Sequence, residues 1–134
     1  MQETMTRAES SSVATDETDR LIASNKVEGT VVYNRSGERL GDVYNFMVNK
    51  HSGQVAYAVM SFGGFLGIGE EYHPLPWKVL TYDTGMGGYV VDLDEETLRG
   101  APKFARDETP DWSNRDLGTR IHDYYRVPYY EGSV

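Results

Sequence analysis

The stretch SFGGFLGIGEEYHPLPW, residues 61–77, contains residue types that bind phosphates or metals in many proteins. Its glycines end at Gly69 and are followed by Glu70 and Glu71. A phosphate-binding loop needs Gly-Lys-Ser/Thr at that point, because backbone N–H groups and the lysine hold the phosphates together. A dinucleotide loop needs a long helix after its glycines, and no helical pattern follows here. The pattern therefore favours a structural loop over a nucleotide site.

Three large apolar residues, Phe65, Leu66 and Ile68, alternate with those glycines. Two interpretations of them stay open. The side chains could pack into the end of a sheet, or they could face outward as a docking surface for a partner protein.

A second candidate site is the pair Glu71 and His73. On a strand the two side chains would share a face, which would suit a metal ion or a proton relay. A metal site needs three or four ligands, and nothing nearby supplies the others. We therefore expect a hydrogen-bonded structural histidine at His73. His51 is expected in a solvated turn, and His122 belongs to the C-terminal zone.

Two acidic clusters could suggest a calcium site or a carboxylate dyad. They comprise Asp92, Asp94, Glu95 and Glu96, then Asp107, Glu108 and Asp111. Neither has the spacing of a calcium-binding loop. Asp94 is instead expected to cap a short helix over 95–99 that ends at Gly100. We assign no catalytic, cofactor-binding or metal-binding residue and expect that the chain is not an enzyme and carries no cofactor.

The composition excludes several function classes. The chain has 134 residues, with 21 acidic and 13 basic side chains and a formal net charge of -8. This charge argues against nucleic acid as a partner, since such binding depends on neutralising phosphates. There is no cysteine, and no apolar run approaches the roughly 20 residues that span a bilayer. We expect a soluble cytoplasmic protein.

The elements that would position these residues are mostly strands. Short β-rich runs are predicted over 27–33, 40–49, 55–62 and 89–93, separated by turns at Gly37, Gly53 and 85–88. The first two turns suit a type I turn with glycine in the left-handed position. Several short strands joined by glycine turns predict an all-β fold, a small antiparallel barrel.

The run VAYAVMSF, residues 55–62, would place apolar side chains on both faces of a strand. One face would hold Val55, Tyr57 and Val59, and the other Ala56, Ala58, Met60 and Phe62. A barrel strand with one face in water would alternate apolar and polar side chains. The outer face of this strand must therefore be covered by the C-terminal zone, by a second subunit, or by both.

A helix is predicted in the C-terminal zone over about 114–125. Ser113, followed by Asn114-Arg115-Asp116, is typical of a helix start, and Val127-Pro128 would end the helix. Leu117, Ile121 and either Tyr124 or Tyr125 form one apolar stripe. We expect this stripe to pack on its own sheet or on that of a dimer mate. These four helix residues and the three glycine-loop residues together form the candidate partner-docking set: Phe65, Leu66, Ile68, Leu117, Ile121, Tyr124 and Tyr125.

The run from Ala23 to Leu80 resembles a PRC-barrel domain. Its most specific parts are Gly29, the turn over 37–41, the strand over 53–62 and Leu75-Pro76-Trp77. This family includes the cytoplasmic part of the photosynthetic reaction centre H subunit and a ribosome maturation factor. The resemblance extends over 21–104. It implies an assembly or docking module, and it carries over the fold but neither of those two functions.

The sequence thus predicts three parts: a flexible tail over 1–20, a PRC-barrel domain over 21–104 with a short helix after its last strand, and an acidic, tyrosine-rich extension over 105–134. The expected function is a non-catalytic protein-interaction module, a homodimer with an unknown protein partner. The alternative is a small-ligand, metal or proton-transfer protein that uses the Glu71–His73 region.

Overall fold

A computed structural model describes residues 20–63 and 69–128. The predictions for the N-terminal tail over 1–19 and for Phe65, Leu66 and Ile68 lie outside the described residues.

The described chain forms one seven-stranded sheet in the order β5-β6-β1-β2-β3-β4-β7. The strands are β1 (Val31–Asn34), β2 (Arg39–Val48), β3 (Val55–Phe62), β4 (Glu71–Pro76), β5 (Thr81–Asp83), β6 (Gly88–Val91) and β7 (Phe104–Ala105). Three helices accompany them: α1 (Ser24–Val27), α2 (Glu95–Arg99) and α3 (Arg115–Tyr125). A single 3₁₀ turn, Trp77–Val79, links β4 to β5.

The sheet corrects the predicted all-β antiparallel barrel in two respects. In the described residues it is open, since β5 and β7 stand at opposite ends of the strand order. The pair β1–β6 is parallel, with Val32 opposite Tyr89, whereas the other pairs are antiparallel. Local strand patterns do not reveal which non-consecutive strands pair, so the sequence could not supply this connection. In addition, α2 precedes β7 and therefore does not follow the last strand.

The predicted strand over 27–33 begins too early. The backbone N–H groups of Lys26 and Val27 both donate to the carbonyl of Ala23, which closes the short helix α1. Gly29 then takes a φ of +85°, a left-handed conformation that glycine adopts without steric cost. Strand β1 begins only after this turn.

Both predicted glycine turns are confirmed. Gly37 has a φ of +85° and donates its N–H to the carbonyl of Asn34. Gly53 has a φ of +76° and donates to the carbonyl of Asn49. These turns join β1 to β2 and β2 to β3, so the first three strands form a consecutive antiparallel meander.

Strand β4 contains two prolines, which cannot donate a hydrogen bond to a neighbouring strand. It pairs with β3 along its length, but with β7 only at Glu71 and Tyr72. Pro74 and Pro76 therefore lie where β4 has a strand on one side only, the position in which a sheet tolerates proline.

Both faces of β3 are covered, as the two-sided apolar pattern required. Met60 and Phe62 belong to the main core with Leu75 of β4. On the other face Tyr57 lies opposite Pro76 and contacts His122 of α3. The cover comes from the same chain, because α3 packs against β4.

The helix ends differ in detail from the prediction. Asn114, not Ser113, caps α3, since its Oδ1 accepts the N–H of Asp116 at 2.8 Å. The helix ends at Arg126, whose φ is +59°, before Val127-Pro128 is reached. The cap of α2 is as predicted: Asp94 Oδ1 accepts the N–H of Thr97 at 2.7 Å.

Candidate functional site

A groove of about 420 Å³ lies between the β2–β3 turn and the start of α3. We call it the turn–helix groove. Its lining residues come from the two strand ends, the turn between them and the segment that leads into the helix: Met47, Val48, Asn49, Lys50, His51, Ala56, Tyr57, Trp112, Ser113 and Arg115.

The turn that forms one side of the groove is held by Asn49. Its side-chain Oδ1 accepts the backbone N–H groups of His51 and Ser52, each at 2.9 Å. Such a side-chain bond to the following backbone is typical of asparagine in turns. Lys50 and His51 are therefore presented on a short, hydrogen-bonded turn with their side chains exposed.

The opposite wall is aromatic. The rings of Tyr57 and Trp112 lie 5.5 Å apart, and Trp112 also makes an edge contact with Phe104. Both contacts fall within the range in which aromatic pairs attract each other. The segment before α3 is held as well, because the backbone N–H and the hydroxyl of Ser113 both donate to Asp111 Oδ1. Those hydrogen bonds lower the pKa of Asp111.

His122 links the aromatic wall to the helix. Its Nδ1 lies 2.8 Å from the carbonyl of Gly118, and a carbonyl can only accept, so Nδ1 carries the proton. The hydroxyl of Tyr57 lies 3.4 Å from the same nitrogen. Since His122 is only 3% exposed, it serves to fix Tyr57 and the helix relative to each other.

A second cavity of about 330 Å³ lies next to the groove and shares Ala56 with it. Its lining includes His122, Trp77 and Lys78, and it reaches Val127 and Pro128, the last described residues.

The Glu71–His73 region differs from its prediction. Both residues lie on β4, two positions apart, as expected for two side chains on the same face of a strand. His73 is fully buried, and among the described residues neither ring nitrogen has a hydrogen-bond partner. The expectation of a hydrogen-bonded histidine is therefore wrong for the described part of the chain. The imidazole instead packs edge-on against Phe62, with ring centroids 5.5 Å apart.

Burial lowers the pKa of His73 to about 4, because a charged imidazole would lose its hydration there. Glu71 opposes this shift and Lys103 adds to it, both by smaller amounts. Glu71 is paired with Lys103, with 3.3 Å between its carboxylate and Nζ. At neutral pH the histidine is therefore uncharged.

The C-terminal docking candidates divide into buried and accessible side chains. Ile121 is fully buried and Tyr125 is 9% exposed, so both belong to the core of their own chain. Leu117 is half-buried, and Tyr124 is 38% exposed with its hydroxyl donating to the carbonyl of Thr97. A partner could reach the first two only if α3 moved away. The docking role of the set stays a prediction.

Among residues 20–63 and 69–128, no three His, Asp or Glu side chains come close enough to hold a metal ion. In the same ranges no helix is long and apolar enough to cross a membrane.

The sequence did not point to the turn–helix groove. The sequence predicts a solvated turn at Lys50 and His51, and it places Trp112 in the acidic, tyrosine-rich extension. The signal that was available is Trp112, a large aromatic side chain in an otherwise polar segment before α3, since an aromatic ring gains much by burying its apolar area against another ring. Its partner Tyr57 could not be identified without the register of β3.

Comparisons with known proteins agree with this fold. The PRC-barrel domain family matches residues 19–98, more than half of the chain. One solved structure, of a protein described as a 16S ribosomal RNA processing protein, RimM, from Pseudomonas aeruginosa, is 21% identical with a TM-score of 0.35. The match covers 55% of this chain and 44% of that chain. We draw no structural or functional conclusion from a TM-score this low. A comparison with curated proteins found no match. On the family match, this chain belongs to the PRC-barrel domain family.

Proposed function

We propose that the chain is a non-catalytic protein-interaction module that acts in the cytoplasm and binds another protein through the turn–helix groove. The observation that carries this proposal is the groove itself, an open concave surface. Its lining includes three aliphatic or thioether side chains, Met47, Val48 and Ala56, which we call the floor, and the aromatic pair Tyr57 and Trp112. Val48, on that floor, is 44% exposed. An apolar surface rimmed by polar residues is typical of a binding groove.

The absence of catalytic function is part of the same proposal. The serine of the groove lining is Ser113, and its hydroxyl and backbone N–H both bond the carboxylate of Asp111, two positions before it. Ser113 donates its hydroxyl to Asp111, an arrangement that fixes the turn before α3 rather than preparing a nucleophile.

We also propose that the protein is a homodimer and that the extension over 105–134 stays packed on its own sheet. Strand β5 stands at one end of the open sheet and pairs only with β6 among the described strands. Its outer edge offers backbone groups that a second copy could pair with. Light scattering after size-exclusion chromatography tests this: a monomer at all concentrations would reject the dimer.

A second candidate function uses His73. Its two unpartnered nitrogens in the described structure favour a small molecule or ion that would satisfy them. A ligand that binds only the folded state raises the melting temperature by mass action. Thermal melting with divalent metals, quinones and nucleotides, on the wild type and on His73→Leu, distinguishes this candidate from the first.

The test of the main proposal is direct binding. Cross-linked partners of the tagged protein would be identified by mass spectrometry from the source organism, then purified and titrated against the chain. We expect at least one partner to bind the purified protein saturably. If no purified partner binds, and a small ligand raises the melting temperature only when His73 is present, the interaction module is rejected in favour of the second candidate.

A further inference from the structure

The turn–helix groove differs in charge from the rest of the molecule. The chain has a formal net charge of -8. The groove lining nevertheless contains Lys50, His51 and Arg115 and no aspartate or glutamate. The nearest acids along the chain are Asp111, whose carboxylate accepts the N–H and hydroxyl of Ser113, and Asp116, which follows Arg115; neither lines the groove.

Lys50 and Arg115, the lysine and the arginine of the lining, come from two different elements. Lys50 and His51 belong to the β2–β3 turn, and Arg115 is the first residue of α3. Met47, Val48 and Ala56 lie on the floor. In the described structure Lys50 makes no ion pair, and its side chain is exposed. The start of a helix adds a partial positive charge on the same side as Arg115.

We propose that the turn–helix groove binds a short acidic segment of a partner protein, with one apolar side chain on the floor and carboxylates at Lys50 and Arg115. This inference rests on the proposed function and adds the chemistry of the partner. A partner with carboxylates on either side of an apolar residue complements the groove in both charge and polarity.

A peptide fits these observations better than a small anion or a nucleic acid. A free phosphate would leave the apolar floor uncovered. RNA carries a charge at every nucleotide, and Lys50 and Arg115 cannot offset its repulsion by a chain with a net charge of -8. RNA could still gain a contact by stacking a base on Trp112, so oligouridylate is tested as a competing ligand.

The experiment uses the full chain and two blocked peptides of equal length. In one peptide glutamates flank a single leucine; in the other, glutamines replace the glutamates. Binding is measured by calorimetry and by NMR shifts of the Lys50 and His51 amides and the Trp112 indole N–H. We expect the acidic peptide to bind with a Kd of roughly 10–100 μM, to shift those signals, and to bind more weakly as salt is added.

Two variants and one control locate the charge effect. Lys50→Glu and Val48→Thr leave the strand and turn intact, since both side chains are exposed. We expect Lys50→Glu to weaken binding at least about tenfold and Val48→Thr by about threefold. Lys26→Glu makes the same charge change on α1, outside the groove, and should alter the Kd by less than about twofold.

The inference is overturned if the glutamine peptide binds as well as the acidic one, if Lys26→Glu weakens binding as much as Lys50→Glu, or if oligouridylate binds at Trp112 more tightly than the peptide. Failure of the proposed function looks different. If the purified partner binds the wild type and Lys50→Glu equally, the acidic-segment inference fails while the interaction module stands.

Discussion

Two buried histidines show how much the surroundings of one residue type decide its role. His122 has a defined proton on Nδ1, directed to the Gly118 carbonyl, and fixes an aromatic contact between helix and sheet. His73 is equally buried but has no hydrogen-bond partner among the described residues. Burial without a partner is destabilising, because the ring nitrogens lose their bonds to water and gain none in return.

The low pKa of His73 predicts how stability depends on pH. The folded pKa is about 4, below the value of about 6.5 in an unfolded chain. Between these values the unfolded state binds more protons, so the free energy of unfolding rises as pH rises from about 4 to 6.5 and is level above that range. The full effect is on the order of 3 kcal/mol. Urea unfolding at pH 7 and pH 4.5 measures it.

The variant His73→Leu removes the titrating group, so we expect it to lose less stability than the wild type on acidification. At pH 7 it should be at least as stable as the wild type, since the unsatisfied ring nitrogens are gone. His51→Gln, in the exposed turn, is the matched control and should behave as the wild type does. Equal acid sensitivity of His73→Leu and the wild type would contradict the assignment.

At the scale of elements, α3 covers part of the sheet by packing against β4. Ile121 is fully buried, and its apolar contacts stabilise the packing by about 1.5–3 kcal/mol. We expect Ile121→Asp to destabilise the protein by about 3–5 kcal/mol and to promote aggregation, since it buries a charge and exposes β3 and β4. Thermal melting with light scattering measures both effects.

Thr119→Asp introduces the same charge on the exposed side of α3 and serves as the control. It should change stability by less than about 0.5 kcal/mol. If Ile121→Asp melts like Thr119→Asp and stays dispersed, the helix covers nothing and its docking on the sheet is wrong.

The end of α3 permits a stabilising change. Arg126 has a φ of +59°, and its N–H and that of Val127 bond the carbonyls of Asp123 and His122. A side chain in this left-handed position costs about 1 kcal/mol relative to glycine. Arg126→Gly should therefore raise the free energy of unfolding by about that amount, as measured by urea unfolding. Arg126→Ala keeps the steric cost and should give no gain; an equal gain from both variants would argue against this explanation.

Elements with a local cause were predictable from the sequence, and those with a distant cause were not. The glycine turns, the α2 cap at Asp94 and the apolar stripe of α3 each depend on residues within a few positions. The choice of Tyr125 over Tyr124 as the buried tyrosine needed the direction of α3 over the sheet. The groove needed the register that brings Tyr57 to Trp112, two residues far apart in the chain.

At the scale of the whole molecule, the net charge of -8 predicts weak binding to RNA. Association with phosphates requires basic side chains that release counterions, and here acids outnumber bases. Ribosomal RNA fragments should therefore bind weakly, and that binding should vanish as salt is raised. Fluorescence anisotropy over a salt series measures this. Tight binding at moderate salt would show that a local basic surface overrides the net charge.

The parallel pair β1–β6 also has a consequence for the order in which the protein folds. The strands β1 to β4 pair with their neighbours in sequence, and β5 pairs with β6. The contact of Val32 with Tyr89 instead closes a long loop, and the entropy of that closure must be lost before the contact stabilises anything. Slow, late docking of β6 on β1 follows from this topology.

Two valine-to-alanine variants would reveal that order in stopped-flow kinetics. Val43 in β2 and Val91 in β6 are each only 1% exposed, so the same methyl groups are removed from equally buried positions. We expect Val43→Ala mainly to slow folding, because the meander is formed in the transition state, and Val91→Ala mainly to speed unfolding. The reverse pattern would mean that the two distant parts of the chain meet first, and that the meander assembles on a sheet centre already joined through β1 and β6.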